Sequence, residues 1–309
     1  MSSKLAATVT TLVAVAVLAS GCGLGAGSQE GSATLVVSRD YGREILLDET
    51  LDDLTESETA MRVLDESADI ETRYSGGFVQ TVEGISGGTE NGRTVDWFFS
   101  VNGVVAELGS AEFPVTAGDT VWWDHRDWTD AMDVGAVVGA YPAPMATGYG
   151  DEAWPVRIEC AAAMATCEIV RTLLGKAGVQ AKITTDPPED SGDVIRFIVG
   201  PWNALWLNKE AMPLAESPAK SGVFAQFDIR RKEDHLIGLN QEGDEVRDFG
   251  PDAGLVAARR LNNDAPTWLI TGGTEAGVEA AASALTADDL EHRYAAVVFD
   301  GQIASLPLP

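Results

Sequence analysis

The sequence predicts an α+β chain in two parts: a small N-terminal domain of strands and one helix, then an α/β sandwich with a mixed sheet. Three observations carry this reading. Two amphipathic strands meet at Asn102-Gly103 within residues 96–124. Beyond residue 154, short apolar runs alternate with helix-like stretches. Between the two regions, Tyr141-Pro142-Ala143-Pro144 and Ala146-Thr147-Gly148-Tyr149-Gly150 form a connection rich in breakers, a linker over 142–153. A length of 309 residues also favours two cores over one.

In the N-terminal part, a strand at 34–38, a helix at 58–67 and a strand at 78–85 lead into the hairpin. Trp97, Phe99 and Val101 alternate with Asp96, Phe98 and Ser100, the period of a strand with two different faces. Asn102 and Gly103 both tolerate positive φ, which a type I′ turn requires. Ala117-Gly118-Asp119 turns the chain into a third strand, Thr120-Val121-Trp122-Trp123, and residues 133–138 supply one more. Consecutive tryptophans on a strand must point to opposite faces. One enters the core, and the other needs a cover: the following domain, a partner protein or a ligand with a flat apolar face. Trp122 and Trp123, with Tyr74 and Trp128 in flanking loops, are therefore the candidate ligand-binding residues.

The run Trp97-Phe98-Phe99-Ser100-Val101-Asn102-Gly103, followed by Phe113-Pro114-Val115-Thr116-Ala117-Gly118-Asp119-Thr120-Val121-Trp122-Trp123, resembles the β-grasp-like domain at the C-terminus of transcobalamin and intrinsic factor. The resemblance covers about residues 34–127 and implies a β-grasp domain over 34–141. It also implies a corrinoid or other cobalamin-like, cofactor-sized ligand, while the lack of any catalytic motif in the sequence argues for a non-enzymatic role. Bacterial proteins with such domains are mostly uncharacterised lipoproteins and surface proteins. The α/α-barrel that completes the corrinoid site in the vitamin carriers has no counterpart here. A protein-docking module of the envelope is thus the competing class.

The second domain, 154–309, reads as strands at 156–160, 180–184, 194–199, 223–229, 236–239, 268–271 and 295–299. Helices are expected at 166–175, 253–260 and 274–285, with an acidic loop at 186–192. Thr271-Gly272-Gly273-Thr274 resembles an anion cradle, but no Lys follows, and Thr274 is more simply a helix N-cap. Cys160 and Cys167 are spaced for a disulfide in an oxidising exterior. His125, His235 and His292 fall in no catalytic or metal motif, and Asp124-His125-Arg126-Asp127 reads as an exposed turn at a strand end.

Lys4 precedes a short apolar run, 5–18, and Ala19-Ser20-Gly21-Cys22 resembles a lipobox. Residues 1–21 are expected to be a signal peptide, Cys22 the lipidated N-terminus and 22–33 a flexible tether. The net charge is −27, and residues 30–150 hold 6 Arg, no Lys and 23 acidic residues. Such a polyanion is repelled by nucleic acid, and its acidity reads either as a solvated surface tuned for high salt or solubility or as attraction for a cationic ligand or divalent ions. The sequence thus predicts an extracytoplasmic, lipid-anchored membrane protein that binds a small molecule for an envelope transport protein. Cys22→Ala is expected to move the protein from the membrane fraction to a soluble or unprocessed form, read by fractionation and N-terminal mass. Wild-type protein retaining Met1 would contradict the lipobox.

Overall fold

The computed structural model describes residues 28–132, 134–150, 152–187 and 193–309. The expected signal peptide, the expected lipidation site Cys22 and part of the acidic loop lie outside the described residues. The N-terminal part runs β1 (Ala33–Arg39), β2 (Glu44–Leu51), α1 (Ala60–Ser67), β3 (Ile70–Arg73), β4 (Phe78–Val82), β5 (Ile85–Ser86), β6 (Gly88–Glu90), β7 (Arg93–Val101), β8 (Val104–Val105) and β9 (Thr120–Asp127). Its main sheet has the order β2-β1-β9-β7-β6, with β8 on β7, while β3, β4 and β5 form a small sheet of their own. The central β1–β9 pair is parallel and the flanking pairs are antiparallel, with α1 on one face, the grasp arrangement expected. Thr59 caps α1 by accepting from the Arg62 N–H, and Val63 and Leu64 are buried. Asn102 and Gly103 both take positive φ, as the hairpin demanded.

The breaker-rich connection folds into a short helix, α2 (Ala143–Ala146). The second part contains β10 (Val156–Cys160), α3 (Met164–Lys176), β11 (Ala181–Thr184), β12 (Ile195–Pro201), α4 (Trp202–Leu205), α5 (Met212–Glu216), β13 (Ala225–Asp228), β14 (His235–Leu239) and β15 (Glu245–Gly250). It ends with β16 (Gly254–Arg259), β17 (Thr267–Gly272), α6 (Glu275–Ser283), α7 (Ala287–Leu290), β18 (Ala295–Phe299) and β19 (Gln302–Leu306). The large sheet has the order β11-β10-β12-β17-β16-β18-β19. Its first four strands are parallel and the rest antiparallel, so the sheet is mixed. Helices α3 and α6 cover one face, and the β13-β14-β15 sheet packs on the other.

Three local expectations fail. Residues 253–260 were expected to be helical, yet 254–259 form β16. Leu255 and Ala257 enter one core while Val256 and Ala258 enter the other, so the strand is apolar on both faces and its alternation is erased. The strand expected at 133–138 is reduced to an isolated bridge between Val104 and Ala136. The presumed exposed turn at 124–127 is the buried end of β9, with all four residues buried.

The reason lies at the seam between the two parts. Trp122 and Val36, on the sheet face away from α1, join a core that includes Phe224, Leu255 and Tyr294. The Trp122 ring meets Tyr294 edge-on at 5.3 Å, and its Nε1 donates to Ser38 Oγ at 2.8 Å. Gly139 lets the chain approach closely, since a Cβ there would lie 2.8 Å from the Arg293 nitrogen. Asp124 accepts from Ser38 Oγ (2.6 Å), the N–H groups of Tyr41 (3.0 Å) and Gly42 (3.2 Å), and the Tyr294 hydroxyl (3.0 Å). Burial pushes the Asp124 carboxyl up, while Ser38, Gly42, Tyr294 and the Arg126 charge oppose the shift. The Arg126 guanidinium lies 4.0 Å over Phe98 and donates to the Ala131 carbonyl.

Removing the Tyr294 hydroxyl deletes one hydrogen bond to this carboxylate without changing the ring. Tyr294→Phe is expected to cost about 1.5–3 kcal/mol in urea unfolding. An unchanged midpoint would mean the bond across the seam contributes nothing.

Candidate functional site

A cavity of about 200 Å³ opens on the opposite face of the first sheet, the side that carries α1. It exists because β7 lacks a neighbour over part of its outer edge. The β6 pairing stops at Val95 and the β8 pairing starts at Ser100, leaving Asp96 to Phe99 without a strand alongside. Phe78 and Val79 of β4, with Val105, Ala106, Gly109 and Ser110, wall this gap.

The floor is aromatic, and its two indoles are pinned at their N–H groups. Phe99 stacks on Trp123 with ring centres 4.9 Å apart, a contact set by their register opposite one another on β7 and β9. Trp123 Nε1 donates to the Ala60 carbonyl of α1 at 3.3 Å. Trp97 Nε1 donates to the Ile85 carbonyl at 2.9 Å, and its ring lies 5.1 Å from His125. A His125 ring nitrogen in turn lies 3.2 Å from the Ser86 carbonyl. Asp96 accepts from the Trp97 N–H at 3.0 Å, which occupies one donor on the open edge. Burial pushes the Asp96 carboxyl up, against the pull of that N–H, His125 and Arg73. The cavity therefore offers rigid apolar surface, suited to a single ring or a short alkyl group. It is smaller than the roughly 300–1,000 Å³ typical of small-molecule sites.

Of the four candidate ligand residues, the structure brings Trp123 to this cavity. Trp122 is covered by the second domain, the first of the alternatives open at the sequence level. Tyr74 is 83% exposed at the β3–β4 turn, edge-on to Phe78 at 6.2 Å. Trp128 is half-buried against Phe98, away from the cavity lining. Phe78, Trp97 and Phe99 were missed. The last two were legible, because pairing the first hairpin strand with the third strand, β7 with β9, sets Phe99 opposite Trp123 and Trp97 on the same face two residues along.

In the second domain, the chain leaves β10 toward β11 on one side and returns as β12 on the other, the crevice where open α/β sheets bind ligands. Here that crevice is filled. At its β10 side, Cys160 and Cys167 tie the end of β10 to the start of α3 by a disulfide with Cα atoms 6.0 Å apart. Ala161 packs so closely on Gly200 that a Cβ there would come within 2.9 Å of it. The Ala163 N–H donates to Glu275 at the start of α6. Thr274 accepts from the Gly277 N–H and donates to the Asp252 carboxylate at 2.7 Å, so the turn is an N-cap beside an anion rather than an anion cradle.

Residues 57–126 match a domain of unknown function (DUF4430). That segment spans α1 through most of β9 and contains every aromatic residue of the cavity floor. No curated protein matches the chain. Among solved structures, a Ruminococcus gnavus protein described as a putative metal binding protein is similar at 18% identity, covering 32% of this chain and 98% of its own, with a TM-score of 0.25. At that score the likeness bears on neither fold nor ligand.

The disulfide closes a short loop, and replacing both Cys160 and Cys167 by Ser is expected to cost about 2.5 kcal/mol in the chain-entropy account. Equal stability of oxidised and substituted protein in denaturant unfolding would show that the closed loop adds nothing.

Proposed function

We propose that the protein is a lipid-anchored, extracytoplasmic binding protein without catalytic activity, whose N-terminal domain receives an apolar, ring-sized group of a small molecule destined for uptake. The observation that carries this reading is the cavity over Trp123, where two indoles, Trp97 and Trp123, are held by hydrogen bonds and Phe99 by stacking on Trp123 before any ligand arrives. Rings fixed in advance lose little freedom on binding, so the buried apolar contact is retained as affinity. The leader-like run before Cys22 and the acidic composition support the extracytoplasmic and non-nucleic-acid parts of the proposal.

The cavity volume limits what enters. A whole corrinoid macrocycle exceeds about 200 Å³, so a cobalamin-like ligand would insert one ring and lay the remainder across the rim. Ligand density filling the cavity with a complete macrocycle is therefore not expected.

Tryptophan fluorescence titrated with cobalamin, its benzimidazole fragment and indole tests the proposal. Saturable quenching by at least one of them is expected. Gly109→Leu is expected to abolish it, because Gly109 lines the cavity and a Cβ there meets no atom within 4 Å, so the larger side chain narrows the opening without displacing packed structure. Its unfolding midpoint is expected to stay at the wild-type value. Absence of quenching by all three, with saturable binding of an envelope protein, would favour the docking module.

A further inference from the structure

We propose a second site, a divalent-cation site across the seam between the two domains, formed by Asp48, Glu291 and His292. The donor atoms of these three side chains all lie within 4.8 Å of one another. Asp48 comes from β2, and the other two follow α7, so neither domain holds the set alone. His292 Nε2 lies 3.2 Å from Asp48 Oδ2. A tetrahedral ion with bonds of about 2.0–2.1 Å sets its ligand atoms roughly 3.3 Å apart, so this pair already has the required spacing.

Two further features distinguish the cluster from an ordinary acidic surface. Its charge is not neutralised by a basic side chain: among the described residues no Lys or Arg pairs with Asp48 or Glu291. The adjacent Arg293 is turned away and donates to the Asp289 carbonyl and Ser305 Oγ. All three groups also line a cavity of about 160 Å³, together with Thr34, Thr120 and Trp122. That space holds an ion and the waters that complete its shell, at about 30 Å³ each.

The loop bearing His292 is positioned rather than loose. A Cβ at Gly42 would lie 2.3 Å from the His292 carbonyl oxygen, so the first domain grips the backbone there. One imidazole with two carboxylates suits zinc or manganese, whereas calcium takes oxygen ligands. Because the ligands come from both domains, binding favours the closed, docked chain and raises its unfolding temperature. The site is on the sheet face opposite the Trp123 cavity and does not depend on the small-molecule reading.

The test is calorimetric titration of chelator-stripped full-length protein in detergent with zinc, paired with thermal unfolding. One equivalent of saturable zinc binding and an upward shift in unfolding temperature are expected. Asp48→Asn and Glu291→Gln should each weaken binding by at least about tenfold and remove the shift, while Gly109→Leu binds zinc normally. Both substitutions are isosteric at exposed positions, so the fold is retained. The proposal is overturned by absence of saturable binding. It is equally overturned by binding that both substitutions leave unchanged, which would place the zinc on the general acidic surface.

Discussion

The structure depends on one buried carboxylate. Asp124 takes donors from β1, from the turn that follows it and from Tyr294, a residue 170 positions further along. A buried charge is tolerated when its lone pairs are filled, and here the second domain supplies one of the donors that fill them. Either domain alone would expose Trp122 and leave Asp124 without the Tyr294 hydroxyl. The two parts therefore share a core, although each has its own sheet and helices.

This division gives the first sheet two faces with different tasks. The face with Val36, Trp122, Asp124 and Arg126 is used up in docking the second domain. The face with Trp97, Phe99 and Trp123 lies under α1 and opens where β7 has no neighbour. Docking on one side fixes the strands that set the ring spacing on the other, and a rigid support is what a preorganised apolar site needs.

Much of this was legible locally. Asn102-Gly103 specified its turn through the φ values it allows, and Trp122-Trp123 announced two covered faces through strand alternation alone. What could not be read depends on distant partners. Asp124 to Asp127 look like a solvated strand end until Tyr41, Arg93 and Tyr294 are placed around them. Residues 254–259 look helical because both faces of the strand are buried, which removes the polar half of the pattern. The cavity arises from the shortness of β6 and β8, a property of pairing that residue types do not encode.

The separation of the two faces can be measured from the indole N–H signals of the 8 tryptophans in a nitrogen-15 spectrum, assigned by single Trp→Phe variants. With saturating indole or benzimidazole, the signals of Trp97 and Trp123 should move while that of Trp122 stays fixed. Movement of the Trp122 signal alone, or of none of the three, would contradict the assignment of binding to the α1 side of the sheet.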